Sequence, residues 1–242
     1  MSERAAGDGQ IDAVIFDWGG TLADYAVVEM EEMWRLAARQ LAPERPDEMT
    51  ATLVAVEEAL WARCSTDQRA GTLAGLLAEA AAALGAEVPE AVLEQAALRY
   101  LDAWTPHITH DAAAVATIEA LRARGLRIGL LSNTHWPRPF HERLLERDGL
   151  AELIDVRLYT SELPFMKPHP ESFRAALDAL GVADPARAVF VGDRPFDDIH
   201  GAQQAGLRAV LRPNSEVPGY EVTADAEITD LSELVALIDG WS

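Results

Sequence analysis

Four side chains in this sequence stand where one reaction could use them together: Asp17, Ser132, Lys167 and Asp193. Asp17 follows the apolar run Ile11 to Phe16, and Ser132 follows Arg127 to Leu131. Lys167 lies in Met166-Lys167-Pro168-His169-Pro170, and Asp193 closes Ala188 to Gly192. A carboxylate can attack an electrophile. If that centre is anionic, such as a phosphoester, the charge must be offset, by a compact ammonium or a divalent cation on further carboxylates. A hydroxyl can donate to the oxygen on which charge develops. Taken singly, each residue has an ordinary explanation as a turn, a cap or a solvated charge. What carries the reading is the joint occurrence, in order, at strand ends. Lys167 is the sole lysine among 20 Lys and Arg residues, so this position reads as one where the two cations do not exchange.

The elements that must position these residues are legible as a pattern. Short β-branched runs closed by Gly, Asp or Ser read as buried strands at 11–16, 127–131, 154–158, 188–191 and 207–211, with a weak one at 226–228. Between them, helical spacing is expected over 112–124, 138–147, 170–180, 197–205 and 231–238. Strands alternating with helices predict an α/β fold with a doubly wound parallel sheet, in which ligands sit beyond the carboxyl ends of the strands. From Val27 to Trp104 the strand signal disappears. Faces built on Met33 and Trp34, on Val54, Leu60 and Trp61, on Leu73 to Leu84, and on Val92 to Tyr100 predict a small all-α bundle. Residues 1–24 and 105–242 are expected to form the core and 25–104 an inserted helical cap, a lid over the first strand's end.

Bulk properties limit the partners. The chain has 242 residues, 49% of them hydrophobic and 25% charged, with a formal net charge of -20. Such a surface repels nucleic-acid backbones and anionic membranes. No apolar run approaches the roughly 18 residues of a membrane span, and the polar segment Met1 to Gln10 lacks a signal-peptide core. The single cysteine, Cys64, is expected to be a small buried hydrophobe, and a cytoplasmic protein is expected. His135, His169 and His200 lie near the motif loops without the spacing of a zinc site, and Trp18 and Trp136 read as packing or lid contacts.

The segments Phe16-Asp17-Trp18-Gly19-Gly20-Thr21-Leu22, Ser132-Asn133-Thr134, Lys167-Pro168 and Gly192 to Gly206 resemble the four motifs of the haloacid dehalogenase-like hydrolase superfamily. The resemblance covers residues 11–24 and 105–211. It implies a Rossmann-like core, a Mg²⁺ cofactor, a small phosphorylated substrate and an aspartyl-phosphate intermediate on Asp17, in a monomer or homodimer. It implies metal ligation by Asp17, the backbone carbonyl of Gly19 and Asp193. The second acid is Asp197 or Asp198, with Asp198 preferred because it begins Asp198-Ile199-His200-Gly201-Ala202. Ser132 and Asn133 would bind the phosphoryl group, and Lys167 would pair with the nucleophile and that group.

One departure stands out. Phosphatases of this superfamily usually carry a second aspartate two residues after the nucleophile, to protonate the leaving group, and here that residue is Gly19. General acid help is worth about 10²- to 10⁴-fold, so hydrolysis of alkyl phosphates is expected to be slow. Glu57, Glu58, Asp67 and His107 are lid candidates for the missing acid, and Arg69, with Arg63, is the candidate for contact with a second anionic group. A weakly active or non-catalytic Mg²⁺ and phosphoester binder is the alternative. A phosphonatase, which needs a lid lysine, and a metal-free dehalogenase are disfavoured.

Overall fold

The structure, a computed structural model, describes residues 10–24 and 26–241. Residues 1–9 of the polar N-terminal segment lie outside the described residues. The strands are β1 (Ala13–Phe16), β2 (Arg127–Ser132), β3 (Val156–Tyr159), β4 (Ala188–Gly192), β5 (Arg208–Leu211) and β6 (Ala226–Glu227). They form one six-stranded sheet in the order β3-β2-β1-β4-β5-β6, and every pairing is parallel. The central strand β1 is Ala-Val-Ile-Phe, buried throughout, as a strand covered on both faces must be. Phe16 is in register with Leu130 on one side and Val191 on the other, so Asp17, Ser132 and Asp193 leave the same edge of the sheet within two residues of one level. The chain winds outward from β1 to β3, then returns to β4 on β1's other side. The switch between β1 and β4 opens the crevice at their carboxyl ends.

Four helices fill the link between β1 and β2: α1 (Met30–Leu41), α2 (Pro46–Asp67), α3 (Leu73–Ala83) and α4 (Glu90–Trp104). Helix α1 buries Met33, Trp34, Ala37, Ala38 and Leu41 on one stripe, and Trp34 stacks on Tyr100 of α4 at 3.8 Å. Thr72 caps α3 by accepting from the Gly75 N–H. In α2 the buried stripe is Met49, Leu53, Val56 and Cys64, whereas Trp61 is 38% exposed. Of the residues that signalled this helix in sequence, Val54 and Leu60 are partly buried and pack against the core, whereas Trp61 borders a cavity instead. Cys64 is buried as expected and donates to the Arg69 carbonyl.

Helices α5 (Ala114–Ala123), α6 (Arg138–Arg147), α7 (Pro170–Leu180), α8 (Gly201–Gln204) and α9 (Glu233–Asp239) complete the fold. The helix expected over 197–205 is split, with a π-helical turn at Pro195–His200 leading into α8. The Asp198 carboxylate accepts from the Arg194 backbone N–H, and this local bond competes with regular helix and turns Asp198 inward. Among the described residues no helix is long and apolar enough to cross a membrane.

Candidate active site

The loop after β1 is fixed before it does any chemistry. The Asp17 N–H donates to the Val191 carbonyl, and Ala23 and Gly20 close a tight turn through Trp18 O and Ala23 O. Arg212, just past β5, donates to the Thr21 carbonyl and to Asp111, pinning the turn from outside. Gly20 has φ +84°, and a Cβ there would lie 2.1 Å from an Asp193 carboxylate oxygen. Glycine is required both for the conformation and for the approach of Asp193.

Lys167 is buried to 1% exposure and its Nζ lies 2.6 Å from both Asp17 Oδ1 and Asp198 Oδ1. Its backbone is held by the Asn133 side chain, whose Nδ2 donates to Lys167 O and whose Oδ1 accepts from Lys167 N, each at 2.9 Å. The Asn133 amide therefore positions Lys167, and Asn133 also lines the cavity above it. Ser132 is buried beside them and lines the same cavity as Asp17 and Lys167.

Asp193 Oδ2 accepts from Asn214 Nδ2 at 2.8 Å, while buried Asp193 Oδ1 has no partner. Ligand atoms of Asp17, Asp193 and Asp198 lie within 4.8 Å of one another. Hard carboxylate oxygens, one of them orphaned, fit a divalent cation such as Mg²⁺. Asp198 is the most committed of the three, since Lys167 and the Arg194 N–H already occupy its two oxygens. Asp197 lies further out, 3.8 Å from the Arg194 guanidinium.

Burial pushes the Asp17 carboxyl up to about 7, with Lys167 pulling it down and Asp198 and Asp193 pushing it further up. Burial and Asp198 likewise raise Asp193 to about 6. Burial opposes the charge on Lys167, but Asp17 and Asp198 outweigh it and hold the ammonium above its ordinary range. The floor thus carries more negative than positive charge, and a bound cation would ionise Asp17 fully.

Above this floor lies a cavity of about 440 Å³. Gly19 and Arg194 border it below. Its wall is aromatic: Trp18, Trp136, Trp61 of α2, and Tyr100 and Trp104 of α4. Trp18 is oriented by a relay in which its Nε1 donates to His110 Nε2 and His110 Nδ1 meets Asp148 at 2.6 Å. Glu57 and His135 are buried in the same wall, 3.8 Å apart. Burial raises the Glu57 carboxyl, against the hydrogen bonds of Trp34 and Trp61, and lowers His135 to about 4. Among the lid candidates, Glu57 and Glu58 reach the cavity, whereas Asp67 and His107 do not line it. Arg69 does not line it either. It is exposed, with its guanidinium 5.4 Å from the Phe165 ring centre, and Arg63 pairs with Glu79. No histidine joins a metal-ligand cluster among the described residues.

Sequence reasoning missed Arg194, Asn214 and the aromatic wall. Arg194 directly follows Gly192-Asp193, a position that could have flagged it. Asn214 comes from a loop after β5 and carries no local signal.

A family model described as haloacid dehalogenase-like hydrolase matches residues 11–206. The chain is 40% identical over 126 residues to a phosphoserine phosphatase of Thermus thermophilus, half of this chain at 50% and 48% of that protein. The chain thus spans about half the length of that relative. It is 34% identical over 208 residues to a phosphoglycolate phosphatase of Rhodospirillum rubrum, covering 82% of this chain and 78% of that one. The crystal structure of a 2-haloacid dehalogenase from Pseudomonas syringae superposes with a TM-score of 0.70 at 26% identity, covering 96% of this chain and 100% of that chain. An HAD phosphatase from Thermococcus onnurineus superposes with a TM-score of 0.65 at 25% identity, covering 95% and 99%.

Proposed function

The chain belongs to the haloacid dehalogenase-like hydrolases, and from that premise we propose that it is a Mg²⁺-dependent phosphatase acting through Asp17. The observation that carries the reading is Lys167, buried and held 2.6 Å from both Asp17 and Asp198 beneath an open cavity. A cation there offsets the approach of a phosphate dianion to a carboxylate. The named phosphatases among the relatives support the same reaction class.

In this reading an Asp17 oxygen forms a bond to phosphorus as the ester P–O bond breaks, and the electron pair leaves with the alcohol oxygen. Ser132 donates to a phosphoryl oxygen, and Lys167 and Arg194 face the transferring charge. Water then attacks phosphorus, the P–O bond to Asp17 breaks, and inorganic phosphate leaves with the carboxylate restored. Asp17, Asp193 and the Gly19 carbonyl would hold Mg²⁺, with Asp198 orienting its surroundings. When bound, the ion supplies charge neutralisation and alignment of phosphoryl oxygens. Residues 25–104 act as the cap that closes over these groups.

Gly19 gives a second reading its footing, that of a Mg²⁺ and phosphoester binder with little turnover. Hydrolysis of para-nitrophenyl phosphate, with and without Mg²⁺, separates the two. The phosphatase reading expects metal-dependent release that Asp17→Asn removes. No such release would leave the binder.

A further inference from the structure

The cavity wall and the floor make different demands on a substrate. Among the described residues, four residues of the wall bury five polar atoms that make no hydrogen bond of normal geometry: Tyr100 Oη, Trp104 Nε1, Trp136 Nε1 and both ring nitrogens of His135, although the Tyr100 hydroxyl interacts with both indoles. Tyr100 is fully buried and His135 is 6% exposed. These atoms are set between flat faces, with the Trp104 and Trp136 ring centres 5.0 Å apart and Trp61 5.8 Å from His135. Offset and edge-to-face contacts of this kind favour a planar ring.

Charge points the same way. The cations bordering the cavity, Lys167 and Arg194, belong to the floor and face its aspartates, whereas the wall presents Glu57 and Glu58. A carboxylate on the leaving group would meet no cation among the described residues of the wall. Gly19 adds an independent constraint. Apart from its two chain neighbours, no atom of the described residues lies within 4 Å of where its Cβ would stand, so none of their side chains takes the place of the missing acid at that point. A leaving group that departs as a stable anion needs least proton donation.

We propose that the natural substrate class is the phosphate monoester of a flat aromatic alcohol, its ring seated among Trp61, Tyr100, Trp104 and Trp136. The proposal rests on the phosphatase reading above. Asp17 displaces an aryloxide, which takes the P–O electron pair and acquires its proton from bulk water. A second water then hydrolyses the aspartyl phosphate.

Three esters separate ring recognition from leaving-group reactivity: 1-naphthyl phosphate, 1-naphthylmethyl phosphate and 2-phosphoglycolate, each assayed with Mg²⁺ on the full chain. The expected result is a kcat/KM on 1-naphthyl phosphate at least about 10²-fold above 2-phosphoglycolate. The naphthylmethyl ester should match the naphthyl ester in KM and fall below it in kcat. Trp61→Ala, at a partly exposed position, and Trp104→Leu should each raise KM for both naphthyl esters about three- to tenfold more than for 2-phosphoglycolate. Equal or better turnover of 2-phosphoglycolate, or naphthyl KM values unmoved by both variants, would overturn the substrate class and leave the phosphatase reading standing. If no ester is hydrolysed, the phosphatase reading fails. Titration of tryptophan fluorescence with 1-naphthyl phosphate then reads the pocket alone: saturable, Trp61-dependent quenching keeps the ring site, and its absence removes that too.

Discussion

The two halves of the cavity satisfy their polar groups in opposite ways. On the floor, Lys167 is shared by Asp17 and Asp198, Asn133 clamps the Lys167 backbone, and Asn214 holds Asp193. Among these groups Asp193 Oδ1 is fully buried without a partner. In the wall, Tyr100, Trp104, Trp136 and His135 bury polar atoms that make no hydrogen bond of normal geometry among the described residues. A floor arranged in advance suits a step whose charge is the same for every substrate. An aromatic wall suits recognition of one leaving group among many. In the proposed reading catalysis rests on the strand ends, whereas selectivity rests on α2 and α4 together with Trp18 and Trp136 of the loops after β1 and β2.

That division can be broken first at the floor. Asp17→Asn removes the attacking oxygen, and a loss of at least about 10³-fold in kcat is expected on every ester, whatever its leaving group. Lys167→Met should lower kcat by about 10²- to 10³-fold. It should also destabilise the fold by about 3–5 kcal/mol in urea titration, because two buried carboxylates lose their common partner. If Lys167→Met altered KM for aryl esters alone, floor and wall would not be separable. Gly19→Asp sharpens the comparison. There is open space at the Gly19 Cβ, so the added carboxyl should fit and raise turnover of 1-naphthylmethyl phosphate by up to about 10²-fold. Turnover of 1-naphthyl phosphate should rise much less.

The smallest effect concerns the wall and pH. His135 sits at about 4 because burial disfavours its charged form, against an ordinary value of 6.5. Between those values the unfolded chain binds more protons than the folded one, so stability falls as pH drops from 6.5 towards 4. The difference amounts to at most about 3 kcal/mol. His135→Gln should flatten part of that slope in urea titrations at several pH values. His141, lowered to about 3 by burial, should retain the rest.

Much of the floor was legible in the sequence, and the wall was not. Strand ends are marked locally, by apolar runs that stop at Asp17, Ser132 and Gly192-Asp193, and order along the chain supplied the rest. The structure brings Asp17, Ser132, Lys167, Asp193 and Asp198 together. Asn133 differs because an amide's partner depends on the tertiary approach of Lys167. Arg69 was expected to meet substrate from its charge alone, but its direction is set by the Arg69–Phe165 bridge between the helical insert and the core. Trp61 and Trp104 carry an apolar signal indistinguishable from core packing, since periodicity reports a helix face without saying what covers it. The π-helical turn at Pro195–His200 was invisible for a related reason: the Asp198 side chain, not backbone propensity, decides it.

The central claim is a covalent bond between Asp17 and phosphorus, and it can be read directly. Enzyme turning over 1-naphthyl phosphate with Mg²⁺ is acid-quenched, reduced with borohydride and mapped by peptide mass spectrometry. An aspartyl phosphate is reduced to homoserine, so the account expects homoserine at position 17, absent without substrate. Phosphate release with Asp17 unmodified, or homoserine at another carboxylate, would contradict it.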